Sequence, residues 1–223
     1  MNYDFSFTFL IGYSDALFGG LKTTLALTTL CTALGLVLGF ATNLARQSKN
    51  RLLVLVTSAY VEIFRGTPVL VQLFWFFFCL PLLLRTELSN FVSATLALTL
   101  YMGAISSESY RAAMQTIPPE QYQACIALGI RKRIETLYVV LPQTLMRAVP
   151  TLLSNCVTLF KESALVSAVG MSDLMYIGQN ISNSTARPVE VLSATAIIYF
   201  IIAFPMTRLV TRMERRIRQR LAI

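Results

Sequence analysis

The chain has 223 residues, of which 55% are hydrophobic and only 13% charged. A soluble domain carries roughly 25% charged residues and a disordered chain needs low hydrophobicity with high charge density, so both classes are excluded. The net charge is +8 with no histidine, which removes the commonest metal ligand and general base, and the four cysteines, Cys31, Cys79, Cys125 and Cys156, form no CxxC pair and read as small apolar packing residues.

In chain order, the first segment, Met1 to Gly20, lacks a basic stretch and carries Asp4 and Asp15 among several aromatics. It reads as an interfacial segment on the outer face rather than a cleavable signal. Five apolar segments follow, at about 20–42, 52–84, 90–108, 148–168 and 191–210, each near or above the length that crosses a bilayer. Basic residues gather between alternate segments: Arg46, Lys49 and Arg51; then Arg111, Arg131, Lys132, Arg133 and Arg147; then Arg208, Arg212, Arg215, Arg216, Arg218 and Arg220. These hold 14 of the 19 Lys and Arg residues. Short Lys/Arg-rich loops stay cytoplasmic, so the pattern predicts an N-terminus outside, a C-terminus inside and no nucleic-acid surface.

The segment at 52–84 is long for one span, about 50 Å as a helix. An even number of spans must separate the clusters at 46–51 and 111–147, so it counts once. Gly66 and Pro68 then mark a break within it. The prediction is an all-α, polytopic membrane protein with about five transmembrane helices. The basic tail after 208 reads as a helix end against an anionic leaflet, making membrane lipid a partner.

Charged and polar groups at membrane depth are costly and face protein or a cavity. Glu62 and Arg65, at i and i+3, share a helix face with spacing for an ion pair. Thr67 and Gln72 flank the Gly-Thr-Pro break, whose freed backbone groups are tolerated only when buried or lining a cavity. Broken helices at mid-membrane recur at transporter substrate sites. The fourth segment repeats this pattern with Asn155, Thr158, Lys161, Glu162 and Ser163. Glu62, Thr67, Gln72, Asn155, Lys161 and Glu162 are therefore the candidates for lining a path. Glu108 and Arg111, again at i and i+3, read as a structural ion pair, as does Arg65. Ser106 and Ser107 allow close helix approach.

Between Arg111 and Arg147 the chain predicts two short helices across a glycine turn. Pro118 and Pro119 start the first, which runs through Leu128 and ends at Gly129. The second runs from about Lys132 to Val140 and ends at Leu141-Pro142. Tyr122, Ile126 and Leu128 are the residues to bury. A channel needs no such element, whereas a protein driven by a soluble partner does.

At these residues the sequence resembles the polar amino-acid permeases, the histidine-permease-like branch, of bacterial binding-protein-dependent ABC importers. Their cytoplasmic loop reads Glu-Ala-Ala, then a glycine, then Ile-x-Leu-Pro. Here the register reads Gln123-Ala124-Cys125, Gly129 and Val139-Val140-Leu141-Pro142, with Gln123 in place of the usual Glu and Cys125 in place of the second Ala. Tyr60-Val-Glu-Ile-Phe-Arg-Gly-Thr-Pro68, Glu108-x-x-Arg111, Leu141-Pro142-Gln143, and Lys161-Glu162-Ser163 with Leu165 are similar to further motifs of that branch. The likeness runs over about residues 20–215.

The resemblance implies a methionine-permease-like (MetI-like) fold, a single transmembrane domain over 1–223 and a cytoplasmic loop at 112–147. It also implies coupling to an ATPase through Pro119, Glu120, Gln123, Ala124, Cys125, Leu128 and Gly129. The implied partners are two ATPase subunits, a second permease subunit (identical or sister) and an external amino-acid-binding protein. Localisation is the bacterial inner membrane. The chain has no GxxxxGK[ST] stretch, so it is not itself the enzyme. ATP and Mg belong to the partner, and this chain binds no cofactor. A stand-alone channel or ion-coupled carrier for small polar solutes is the alternative class. A membrane-embedded enzyme is disfavoured, for want of histidine, of metal-ligand spacing and of a carboxylate cluster at one depth.

Overall fold

Local punctuation sets most helix starts in the computed structural model, which describes residues 5–221, with side chains through Ile217. Asp4 and the side chains of Arg218 and Arg220 lie outside the described residues. Helix α1 is Ser14–Arg46. Asn50 caps α2, Arg51–Gly66, accepting from the Leu52 and Leu53 amides. After the break comes α3, Val69–Leu84, with a wide π turn at Trp75–Cys79. Ser89 caps α4, Asn90–Gln115, by accepting from the Val92 amide. Helix α5 is Pro119–Ala127, and α6 runs over Lys132–Val169. Asp173 caps α7, Leu174–Thr185, and α8 is Pro188–Leu221. No strand occurs among the described residues.

Helix α4 is the axis of the bundle. It packs along α1, and α2, α3 and α6 lie against it. Small residues make the α1–α4 approach possible: a Cβ on Gly35 would stand 2.5 Å from Met102 Cβ, and one on Gly39 2.6 Å from Ser106 Cβ. This four-residue spacing of glycines against the Gly103–Ser107 stretch is the close-packing device of membrane helices. The main apolar core joins Leu27 and Cys31 of α1 to Leu73 and Phe76 of α3, Leu98 and Met102 of α4, and Leu159 and Val166 of α6.

Three helical stretches among the described residues are long and apolar enough to cross a membrane: Thr8–Arg46, Lys132–Val169 and Pro188–Ile217. The pair Arg51–Gly66 and Val69–Leu84 meets the same test jointly, bent by 110°. Helix α4 has the length, 26 residues, but not the apolarity. Ser93, Ser106, Ser107 and Ser109 are buried against its neighbours, so much of its surface meets protein, where a lipid-soluble surface is not required.

Two expectations fail here for physical reasons. Leu141-Pro142 does not end a helix. The π turn at Glu135–Val140 precedes the proline, and such a widened turn absorbs the missing N–H and the ring's clash with the preceding turn. The turn at Trp75–Cys79 precedes Pro81 in the same way. Nor are Ile126 and Leu128 buried: they are 73% and 76% exposed. Helix α7 was not anticipated. With Leu17 and Val191 it forms a second core, on which the aromatics of the N-terminal turn Thr8–Tyr13 pack.

Candidate functional site

The break in the second apolar segment is sealed from within. Thr67 ends α2 in an extended conformation and Pro68 opens α3. The Gln72 amide nitrogen reaches back across the break to the Phe64 carbonyl (2.9 Å), the Thr67 carbonyl (3.0 Å) and Thr67 Oγ1 (2.8 Å). Thr67 Oγ1 itself donates to the Ile63 carbonyl at 2.8 Å. The last carbonyls of a helix have no partner within it, and Gln72 answers two of them. Its own Oε1 is buried without a partner. Ile63, Phe64, Val71, Trp75 and Phe76 complete an apolar cavity of about 300 Å³ over this break.

Helix α6 presents the other polar groups. Asn155 donates to Ser109 Oγ at 2.9 Å. Two turns on, Glu162 Oε1 accepts from the Tyr101 hydroxyl at 3.3 Å. The two pairings run in opposite directions along α4 and α6, so the helices are antiparallel and Asn155 and Glu162 face α4. The second carboxylate oxygen, Glu162 Oε2, is buried and unpaired. From Ser163 the helix tightens into a 3₁₀ stretch as far as Val169, which packs on the first turn of α3 and brings the Glu162 end beside the Gln72 break.

Other candidates do not converge there. Glu62 and Lys161 are exposed, and neither has an ion-pair partner among the described residues. The expected Glu62–Arg65 pair does not form. Arg65 turns instead to Glu108 Oε2, at 3.7 Å, and the same oxygen accepts from Arg46 at 3.1 Å. Glu108 Oε1 accepts from Arg111 Nε at 2.8 Å and also from its Nη2. One carboxylate thus gathers three guanidiniums from α1, α2 and α4. Arg65 and Arg46 could not have been assigned to it from spacing, because 43 and 62 residues separate them from Glu108.

The cytoplasmic-loop candidates lie on one short rod. Helix α5 closes with a Schellman turn: Ile130 N donates to Cys125 O (2.9 Å), Gly129 N to Ile126 O (3.0 Å), and Gly129 adopts φ +65°. That left-handed φ suits glycine. Cys125 is buried at 5% exposure and faces the bundle. Gln121 Oε1 accepts from Gln143 Nε2 at 2.6 Å, and Arg147 Nη1 donates to the Thr116 carbonyl at 2.9 Å, so the entry to α5 is tied to α6. Pro119, Glu120, Gln123, Ala124 and Leu128 stay exposed. Ile126 and Leu128, which flank the inward Cys125 on either side, are exposed as well.

The family model for the binding-protein-dependent transport system inner membrane component matches residues 31–219. The chain belongs to this family.

Among relatives of this permease, the arginine transport system permease ArtQ of Bacillus subtilis (strain 168) is 32% identical over 218 residues, covering 98% of this chain and 99% of that protein. The L-cystine transport system permease TcyB of the same organism is 35% identical over 200 residues, covering 89% and 85%. In three dimensions the permease is similar to a solved amino acid ABC transporter crystallised with histidines. The TM-score is 0.91 and the identity 31%, over 96% of this chain and all of that one. The MetNI methionine transporter, facing inward, matches at 0.77 with 23% identity and so supports the fold alone. The permease is an inner-membrane subunit that works with a separate ATPase and a binding protein, not an enzyme in its own right. Tyr101 and Ser109 were missed as partners of Glu162 and Asn155. Tyrosine and serine within apolar helices are too common to stand out before the pairings are seen.

Proposed function

We propose that this chain forms half of the translocation path of an ATP-driven importer for a polar amino acid, with all 223 residues serving as one transmembrane domain. Five spans, N-terminus outside, fit the charge pattern, with α4 as the protein-enclosed span. Two ATPases bind below, carrying ATP and Mg, while this chain binds no cofactor. A second permease subunit, identical or sister, closes the path beside Glu62, Thr67 and Lys161, which are exposed in the single chain. Lipid surrounds the bundle, and anionic headgroups meet the basic tail.

The observation that carries this reading is the bare face of α5, Pro119–Ala127. A short helix is held rigidly on one side by Cys125 and Gln121 and presents Gln123, Ala124, Ile126 and Leu128 outward. It transmits ATPase closure to the bundle as a rigid-body movement. The similarity to arginine and cystine permeases supports an amino-acid cargo. Glu162 supplies the acceptor for its cationic end, through the carboxylate oxygen that has no hydrogen-bond partner among the described residues.

The test is uptake by the complete transporter carrying Glu162→Gln, which keeps the shape and the Tyr101 hydrogen bond but removes the charge. Uptake is expected to fall at least a hundredfold while the ATPase remains bound. Uptake at the wild-type rate would remove Glu162 from the path.

A further inference from the structure

A second cavity lies away from the break. It lies at the junction of α5 with the bundle, has a volume of about 590 Å³, and is walled by α1, α2, α4 and α5. Its polar lining is one-sided. Arg46 and Arg111 line it, with the amides of Asn43, Gln47 and Gln115 and the hydroxyls of Ser58 and Tyr122, and no Asp or Glu among the described residues does. Glu108, which neutralises part of the arginine charge, is not in the wall.

The donors there are under-used. An arginine has five N–H groups. Arg111 places its Nε and Nη2 on Glu108, and Arg46 only its Nη1. Their remaining N–H groups have no acceptor among the described residues. Asn43 Nδ2 points at the Met114 thioether at 3.6 Å, a weak acceptor, whereas Gln47 Nε2 reaches the same sulfur and the Asn43 carbonyl, each at 3.2 Å. Three arginines around one carboxylate leave an excess of two positive charges. A wall of spare guanidinium and amide donors with no carboxylate selects an oxyanion, and guanidinium forks match phosphate geometry in particular.

We propose that this cavity binds a phosphate-type anion, either the headgroup of an acidic phospholipid or a soluble phosphate. The anion sits against Arg46 and Arg111, between the bundle and the coupling rod. Pro119 and Tyr122 of α5 form part of the wall, so occupancy braces the rod. An anion that binds more tightly in one position of α5 shifts the population toward that position.

The experiment uses the full chain in uncharged detergent and follows thermal unfolding against three probes at matched ionic strength. These are dihexanoyl phosphatidylglycerol, inorganic phosphate, and dihexanoyl phosphatidylcholine with chloride as control. Ser58→Asp and Gln115→Glu each put a carboxylate into the wall while leaving every residue of the Glu108 cluster in place. Binding of at least one anionic probe is expected to be tenfold or more tighter than that of phosphatidylcholine, and to weaken tenfold or more in either variant. Selective phosphatidylglycerol binding identifies a lipid headgroup, and equal binding of inorganic phosphate identifies a soluble anion. The proposal is overturned if phosphatidylglycerol matches phosphatidylcholine and phosphate matches chloride. It is equally overturned if the variants bind as the wild type does. Should one variant not fold, the other and the wild-type probe comparison decide.

Discussion

Gln72→Met is the sharpest single test of the sealed break. Methionine keeps the length and apolar volume of the side chain, so the cavity wall it shares with Phe64 and Phe76 changes little. What is lost is the amide nitrogen that reaches the Phe64 and Thr67 carbonyls at 2.9 and 3.0 Å. Gln72 is only 6% exposed. An amide carries two N–H groups, so no more than two strong hydrogen bonds are lost, even though three acceptors stand within reach. Leaving a buried acceptor unanswered costs about 1–3 kcal/mol. Thr67 is exposed, so water answers its carbonyl and that loss falls near zero. The Phe64 carbonyl carries the penalty, and the total is about 2 kcal/mol. At about 2–4 °C per kcal/mol for a chain of this size, the melting temperature of the purified permease in detergent should drop by about 4–8 °C. Gln72→Glu should cost more, because a carboxylate replaces the donor beside two carbonyls. A Gln72→Met permease melting within a degree of wild type would refute the idea that this side chain holds the break.

The ion-pair hub and the glycine seam give graded expectations. Glu108→Gln should destabilise by about 1–3 kcal/mol, since it leaves three clustered guanidiniums with a neutral partner. Arg65→Gln should cost under about 0.5 kcal/mol, because that side chain is 47% exposed and lies 3.7 Å away; denaturation of the two variants side by side checks the ordering. Gly35→Leu and Gly39→Val should abolish folded permease in size-exclusion profiles, because each added Cβ collides with α4. Gly66→Ala meets nothing within 4 Å and should behave as wild type.

Which features could be read before the fold was known follows from how far apart their residues lie. The α5 rod was legible because Pro119 and Gly129 are local signals, and the Schellman turn forms where the glycine demanded it. The break at Gly66–Pro68 was legible for the same reason. The Glu108 cluster was not, since Arg46 and Arg65 arrive from other helices and the nearer spacing favoured Glu62. Leu141-Pro142 misled because a proline normally stops a helix, and only the wide turn ahead of it shows how this one is absorbed. Ile126 and Leu128 misled in the opposite sense. Apolar residues on a short helix usually turn inward, but here Cys125 takes the inner position and the larger side chains remain outside. Gln72 was placed among path-lining candidates by its depth, and its amide proves to be spent on the chain's own backbone.

The claim on which the rest depends is that α5 is the contact through which an ATPase drives the bundle. Leu128 is 76% exposed, so Leu128→Asp leaves the permease's own packing untouched while setting a charge on the docking face. The decisive measurement is co-purification and nucleotide hydrolysis of the assembled transporter carrying Leu128→Asp. The melting temperature of the permease should be unchanged, with the bound ATPase reduced at least tenfold and the substrate-stimulated hydrolysis lost. An assembly that retains its ATPase and hydrolyses ATP at the wild-type rate with aspartate at that position would contradict the claim.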